Sequence, residues 1–286
     1  MGFVGIIIVL ACVFGGYLGA GGHLPVLVQP FEVLIIGGAA LGGFVIANSM
    51  TTIKMVFKMV IQALVGKGPT KKDYLELLQI LFQLFQIFRK DGPQAVEKHI
   101  EEPHSSEIFK AYPNFLKNHH AVDFLCDTMK ITLSADLTQY DVDDLLDQDI
   151  KVIHEEEHKA AHAVEKVADS LPGLGIVAAV LGVVHTMEYL TAGVETIGGM
   201  VAAALVGTFM GVLFCYGFIG PISTKMASDI EEAGRYLLVI KAALVSLQRG
   251  APPLVCVEFA RRSIYPSERP TFEEMDQATK DAKKAA

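Results

Sequence analysis

Four stretches of the chain, residues 3–20, 33–50, 171–184 and 197–220, are almost free of ionised side chains, and charge-dense segments separate them. Each is near the length of about 20 residues that a bilayer core requires of a helix. The pattern predicts four membrane helices. After the second, "KGPTKKDYLELLQILFQLFQIFRKDG" sets Tyr74, Leu77, Leu78, Leu81, Leu84, Phe85 and Phe88 at helical spacing, the mark of an amphipathic helix that packs on other helices. Thr70 and Asp73 stand in capping-box spacing at its start, and Gly92-Pro93 supplies its stop. Residues 113–134, 139–168 and 222–249 also follow helical periods, and no run alternates as a strand.

The predicted fold is an all-α membrane protein. Transmembrane helices 1 and 2 fall within 1–50, a large helical cytoplasmic domain within 51–170, transmembrane helices 3 and 4 within 171–220, and a cytoplasmic C-terminal helix and tail within 221–286. The tail, "SIYPSERPTFEEMDQATKDAKKAA", is polar and proline-punctuated, so loose order is expected at its end.

Composition supports burial in lipid: 51% of residues are hydrophobic and the mean hydropathy is +0.40, too apolar for an ordinary soluble domain. Charge then sets the orientation. All 24 Lys and Arg lie in 51–170 or 221–286, so the short connections 21–32 and 188–198 carry none. By the positive-inside rule the middle segment, the tail and both termini are cytoplasmic. The N-terminal run "MGFVGIIIVLACVFGGYLGAGG" lacks a basic leader and a small-x-small cleavage site, which predicts a retained first helix. Cys12, Cys126, Cys215 and Cys256 form no close pair, which argues against disulfides and a CxxC metal site.

Candidate chemistry is sparse. "HEEEH", His154 to His158, matches the spacing of a zinc-peptidase helix, but it lies in a run of charged helix and reads better as a solvated acidic face. Pairs of small residues four apart, Gly15 and Gly19, Gly38 and Gly42, Gly207 and Gly211, suit close helix packing within the chain or between copies. No acid or base is expected deep in the membrane, because Glu32, His185 and Glu188 fall at predicted helix ends, where water can satisfy them. Ser49, Thr208 and Tyr216 are the chief polar groups left within the spans. If the protein moves ions, a partner has to supply the titrating group.

Two prolines stand where membrane helices meet cytoplasmic ones. Inside a continuous helix a proline removes a backbone donor, so Pro172 would leave the Ala168 carbonyl unpaired and Pro221 that of Gly217. They either mark the boundary or form a pair of hinges. Arg89, Lys90, Glu97 and Lys98 give a mixed-charge helix end, suited either to solvent or to docking on a charged partner.

The blocks "VFGGYLGAGG", "QPFEVLIIGGAALGGFV", "SEIFKAYP", "DSLPGLGIVAAVLGVVHTM", "LVGTFMGVLFCYGFIGP" and "APPLVCVEFARRSIYPSERP" occur in one order over nearly the whole chain. In them the chain resembles the MotA family of flagellar motor stator proteins. The resemblance implies a non-enzymatic subunit of the bacterial inner membrane with cytoplasmic termini and membrane lipid around it. It implies five copies around two of MotB, whose aspartate binds the ion, and it implies contact with the rotor protein FliG, with no role for nucleic acid. Pro172 and Pro221 match the family's functional prolines, and Arg89 and Glu97, with Lys90 beside them, match its rotor-contacting charges. Ala179 stands where sodium-driven relatives carry threonine, and Thr208 matches the fourth-span threonine. Losing an oxygen ligand at Ala179 favours H+ over Na+ as the translocated ion, and no cofactor is implied. The rival readings are an ExbB- or TolQ-like energiser of an outer-membrane system and a sodium-driven stator subunit.

Overall fold

The computed structural model of the chain describes residues 2–66, 68–191 and 193–285. In chain order its helices are α1 (Gly2–Gly19), α2 (Leu24–Leu27), α3 (Pro30–Ala47), α4 (Met50–Val65), α5 (Lys71–Asp91), α6 (Pro93–Glu101), α7 (Glu107–Lys110), α8 (Pro113–Lys117), α9 (His119–Ser134), α10 (Gln139–Met187), α11 (Val194–Leu213), a π-helical turn (Phe214–Ile219), α12 (Gly220–Gln248), α13 (Pro253–Arg262) and α14 (Phe272–Ala285). No strand occurs among the described residues. The chain is an all-helical protein with four helices long and apolar enough to cross a membrane, Gly2–Gly19, Leu24–Ala47 and segments of Gln139–Met187 and Val194–Gln248.

Two compact units share these helices: Met1–Lys67 with Glu156–Asp229, and Gly68–Glu155 with Ile230–Ala286. In the first, α1 packs on α4 and the π turn, while α2 and α3 pack on α11. Its small core joins Ile36, Ala40, Ala168, Leu171, Ala178 and Cys215. Most of its large apolar side chains point outward, Ile46 and Val194 being 89% and 88% exposed. That is the inverse of a soluble domain and the arrangement expected of helices that face hydrocarbon.

The second unit is built as a soluble protein is. Tyr74, Leu77, Leu78, Leu81, Leu84 and Phe85 of α5 are all buried, as their spacing predicts, and α6, α8, α13 and α14 close around them. One capping device opens three of its helices. The Thr70 amide donates to Asp73 Oδ2 at 2.8 Å, Thr138 to Asp141 Oδ2 at 2.8 Å, and Thr271 to Glu274 Oε2 at 2.6 Å. Each bond satisfies a backbone N–H at the helix start and holds a carboxylate against the positive end of the helix dipole. Gly92, at φ 87°, ends α5 in a conformation that side-chain-bearing residues rarely adopt.

The end of the tail departs from expectation. Residues 272–285 form a helix seated on α5, with Met275 and Thr279 buried. Gln79 Nε2 donates to the Ala278 carbonyl at 3.0 Å and Gln83 Nε2 to that of Ala282 at 2.9 Å. Lys71 and Glu274 add an ion pair at 2.7 Å. Polar composition suggests looseness, but backbone acceptors on α14 meet amide donors on α5, a match that side-chain polarity alone conceals.

Candidate ion pathway and rotor-facing charges

In the membrane unit, α10 and α11 approach closely, and glycine makes it possible. A β-carbon on Gly211 would lie 2.5 Å from the Leu171 carbonyl oxygen and 2.9 Å from Gly175 Cα. One on Gly175 would lie 2.8 Å from the Gly207 carbonyl, and one on Gly182 would lie 2.7 Å from Ala204 Cβ. Gly175, Ala178 and Gly182 thus form a smooth strip against Ala204, Gly207 and Gly211, the small-residue seam by which membrane helices gain contact. Gly15, Gly19, Gly38 and Gly42 have no neighbour within 4 Å of such a carbon, so their notches are unfilled within the chain. Of the predicted small-residue pairs, Gly207 and Gly211 serve packing inside one copy.

Of the candidate residues of the third and fourth spans, Ala179 touches this seam and Pro172 adjoins it. Ala179 contributes its backbone nitrogen 3.1 Å from the place of a Gly207 β-carbon, and Thr208 follows Gly207 in α11. Pro172 lies inside α10, one residue after Leu171, whose carbonyl faces Gly211. Tyr216 lies elsewhere, on the π turn with its side chain exposed.

Glu32 stands at a helix start, as its place in the sequence predicts. Although it sits in the first turn of α3, its carboxylate reaches the seam: Oε2 lies 2.7 Å from the place of a Gly207 β-carbon and Oε1 3.4 Å from that of Gly182. Oε2 is buried and has no hydrogen-bond partner among the described residues. A carboxyl oxygen so placed calls for a donor or a cation. The sequence signal is its neighbourhood of notches, since both Gly182 and Gly207 leave room that only a packed partner would fill.

Pro221 also behaves differently from expectation. Instead of a single stranded carbonyl at Gly217, the whole stretch Phe214–Ile219 widens into a π turn, with the Gly220 amide bonded to the Cys215 carbonyl five residues back. Such turns absorb a register shift of one residue, and Pro221 is the second residue of α12, which follows it directly. Ser223 Oγ then donates to the Ala161 carbonyl of α10 at 3.2 Å, pinning the two long helices together. Both prolines lie inside the membrane unit, whose limits in these helices are Glu156 and Asp229.

In the second unit, Arg89 and Lys90 close α5, and Glu97 lies on α6, all three exposed. Gly92 turns the chain between them. Arg89 also serves the fold itself, because its Nη2 donates to the Gly250 carbonyl at the head of the turn into α13. The "HEEEH" run lies in mid-helix, and His154 Nε2 is 3.1 Å from Glu231 Oε1 of α12. Farther along, Glu258 receives both Arg261 and Arg262, which hold its carboxyl down at about 2.

Residues 3–92 match the motility protein A N-terminal family and residues 116–237 the MotA/TolQ/ExbB proton channel family. Motility protein A of Salmonella typhimurium is 37% identical over 274 residues, 96% of this chain and 93% of that protein. Chemotaxis protein LafT of Vibrio parahaemolyticus is 35% identical over 276 residues, 96% of each. The fold resembles that of C. jejuni MotAB, with a TM-score of 0.78 at 17% identity over 95% of this chain and 98% of that one. It also resembles the flagellar MotAB stator complex from Bacillus subtilis, with a TM-score of 0.72 at 20% identity over 90% and 93%. Identity of more than a third along nearly the full length, with the same four-span helical fold, establishes that the chain belongs to the motility protein A family of stator and ion channel subunits.

Proposed function

We propose that this chain, a multi-pass membrane subunit of the flagellar stator, works with a MotB-type partner to turn proton flow into torque on a FliG-type rotor protein. The assembly is a ring of five copies around a partner dimer in the bacterial inner membrane, with both termini of each copy in the cytoplasm. The partner's aspartate holds the proton midway. Ala179, Thr208 and Glu32 flank the route on the side of this chain, and Pro172 and Pro221 carry motion from the spans toward the helices that bear Arg89, Lys90 and Glu97. The driving force is the membrane potential, worth about 2.3 kcal/mol for each charge crossing 100 mV.

The observation that supports this reading is the glycine seam, where the Ala179 backbone and the Glu32 carboxylate both come close to Gly207. Ala179 offers no side-chain oxygen to a dehydrating sodium ion, whereas a proton needs only a carboxyl and a hydrogen-bonded path. Full-length similarity to motility proteins A speaks against an ExbB- or TolQ-like energiser. The test is swimming speed in a stator-deleted host expressing the chain with its partner. Speed independent of sodium and abolished by a proton uncoupler supports the proposal; sodium dependence overturns the choice of ion.

A further inference from the structure

The second unit contains a cleft of about 440 Å³ between α12 and the stretch from the end of α13 to Arg269. Its floor is apolar, with Leu238 and the half-exposed Phe259, and its rim holds Arg235, Arg249, Arg262 and Arg269. In a chain of net charge −8 this is a concentrated positive surface. It is also poorly neutralised from within. Lys241, at one edge, is held by Asp143 and Asp147 at 2.9 and 2.6 Å, and Arg262 meets Glu258 through Nε. Arg235, Arg249 and Arg269 have no ion-pair partner among the described residues. Arg235 stacks over Tyr265 at 4.3 Å and donates to its hydroxyl at 3.0 Å, but its buried Nε has no acceptor.

The same unit displays the complementary surface. On the first part of α10, Val142 and Leu146 face the core, and the opposite side exposes Tyr140, Leu145 and Val152 among Asp141, Asp144 and Glu155. Lys151, the cation of that side, lies 4.0 Å from Glu155. Apolar side chains standing out of an acidic helix face are the counterpart of an apolar floor with arginine rims. The lengths agree. Arg235 to Arg249 spans 14 residues of helix, about 21 Å, and Tyr140 to Glu155 spans 15, about 22 Å.

From this match we infer that the α12–α13 cleft of one copy receives the exposed face of α10, residues 140–155, of the next. The two surfaces are different patches of one chain, so the contact is head-to-tail and closes into a ring when the rotation permits. The inference rests on the stator reading only in requiring that several copies assemble.

Disulfide trapping in membranes tests it, using the full chain with its partner protein and the native cysteines replaced. Cysteine is placed at Asp141, Asp144, Gln148 or Glu155 on one copy and at Arg249 or Arg262 on a co-expressed second copy. At least one pair is expected to give cross-linked dimer in fivefold or greater excess over a reference pair using Asp123, an exposed acid of α9. Charge reversal gives an independent readout: Arg249→Glu with Arg262→Glu should lower co-purification of tagged and untagged copies several-fold, and Asp144→Lys with Glu155→Lys in the same chain should restore it. Copies that co-purify normally but trap no more than the reference overturn this contact and leave the stator reading standing. Trapping of the cleft cysteine to a different protein, with none between copies, also overturns it. Failure of copies to co-purify at all overturns both.

Discussion

Arg89 and Gly250, 161 residues apart, are joined by a hydrogen bond from the guanidinium to the backbone carbonyl. The residue proposed to meet the rotor therefore also braces the turn between α12 and α13. Two roles on one side chain can be separated by experiment. Arg89→Ala should lower both motility and the stability of the second unit, the latter by about 1 kcal/mol, the usual net value of a hydrogen bond. Glu97→Ala, which loses no such bond, should lower motility without changing the melting temperature. Equal melting shifts for the two variants would refute the bracing role.

Gly207 and Glu32 compete for one space. Gly207→Ala should displace the carboxylate and impair motility, because the added methyl would meet Oε2 at 2.7 Å. Glu32→Ala should relieve the crowding, so the double variant should be more stable than the sum of the single effects predicts, by about 0.5–2 kcal/mol. Thermal unfolding of the four proteins in detergent measures this coupling. Strict additivity would show that the two residues do not meet.

The proline positions predict loss of torque without loss of assembly. Pro172→Ala restores a donor for the Ala168 carbonyl, and Pro221→Ala permits a regular α-helix through the π turn. Each variant should still co-purify with its partner protein while swimming at well under half of normal speed. Full speed from either would remove that proline from the coupling path.

Acid should loosen the second unit through Glu258. Its folded carboxyl titrates at about 2, against an ordinary value of 4.5, mainly because Arg261 bonds it, with Arg262 adding a second partner. Its stabilising effect is complete above about pH 4.5 and is lost as pH falls toward 2, up to roughly 2–3 kcal/mol. Glu258→Gln should be less stable than the parent at pH 6 and approach it at pH 3. Circular-dichroism melts at the two pH values decide this, and a gap that widens on acidification would contradict it.

Much of the fold could be read from local signals. Thr70, Asp73 and Gly92 bracket α5 because capping and chain reversal are decided by neighbouring residues, and the four apolar stretches follow from lipid thickness. The apolar face of α5 is buried as its spacing demands. Gln83 is buried as well, because α14 supplies a distant carbonyl that no window of sequence includes. Glu32 escapes a local reading for a similar reason. Its position at a helix start is local, whereas its burial depends on α10 and α11, whose notches lie 150 and 175 residues later. At Pro221 the residues signal a disturbed helix, but a widened turn and a single broken bond leave the same trace in them.

The fastening of α14 to α5 also sets a timetable for synthesis. Gln79 must wait for Ala278, 199 residues downstream. At about 5–20 residues per second, that is roughly 10–40 s during which α5 has left the ribosome without its cover. α10 and α11 are synthesised within that interval. The second unit therefore completes its packing only after α10 and α11 have been synthesised, and until then the buried face of α5 lacks the cover of α14.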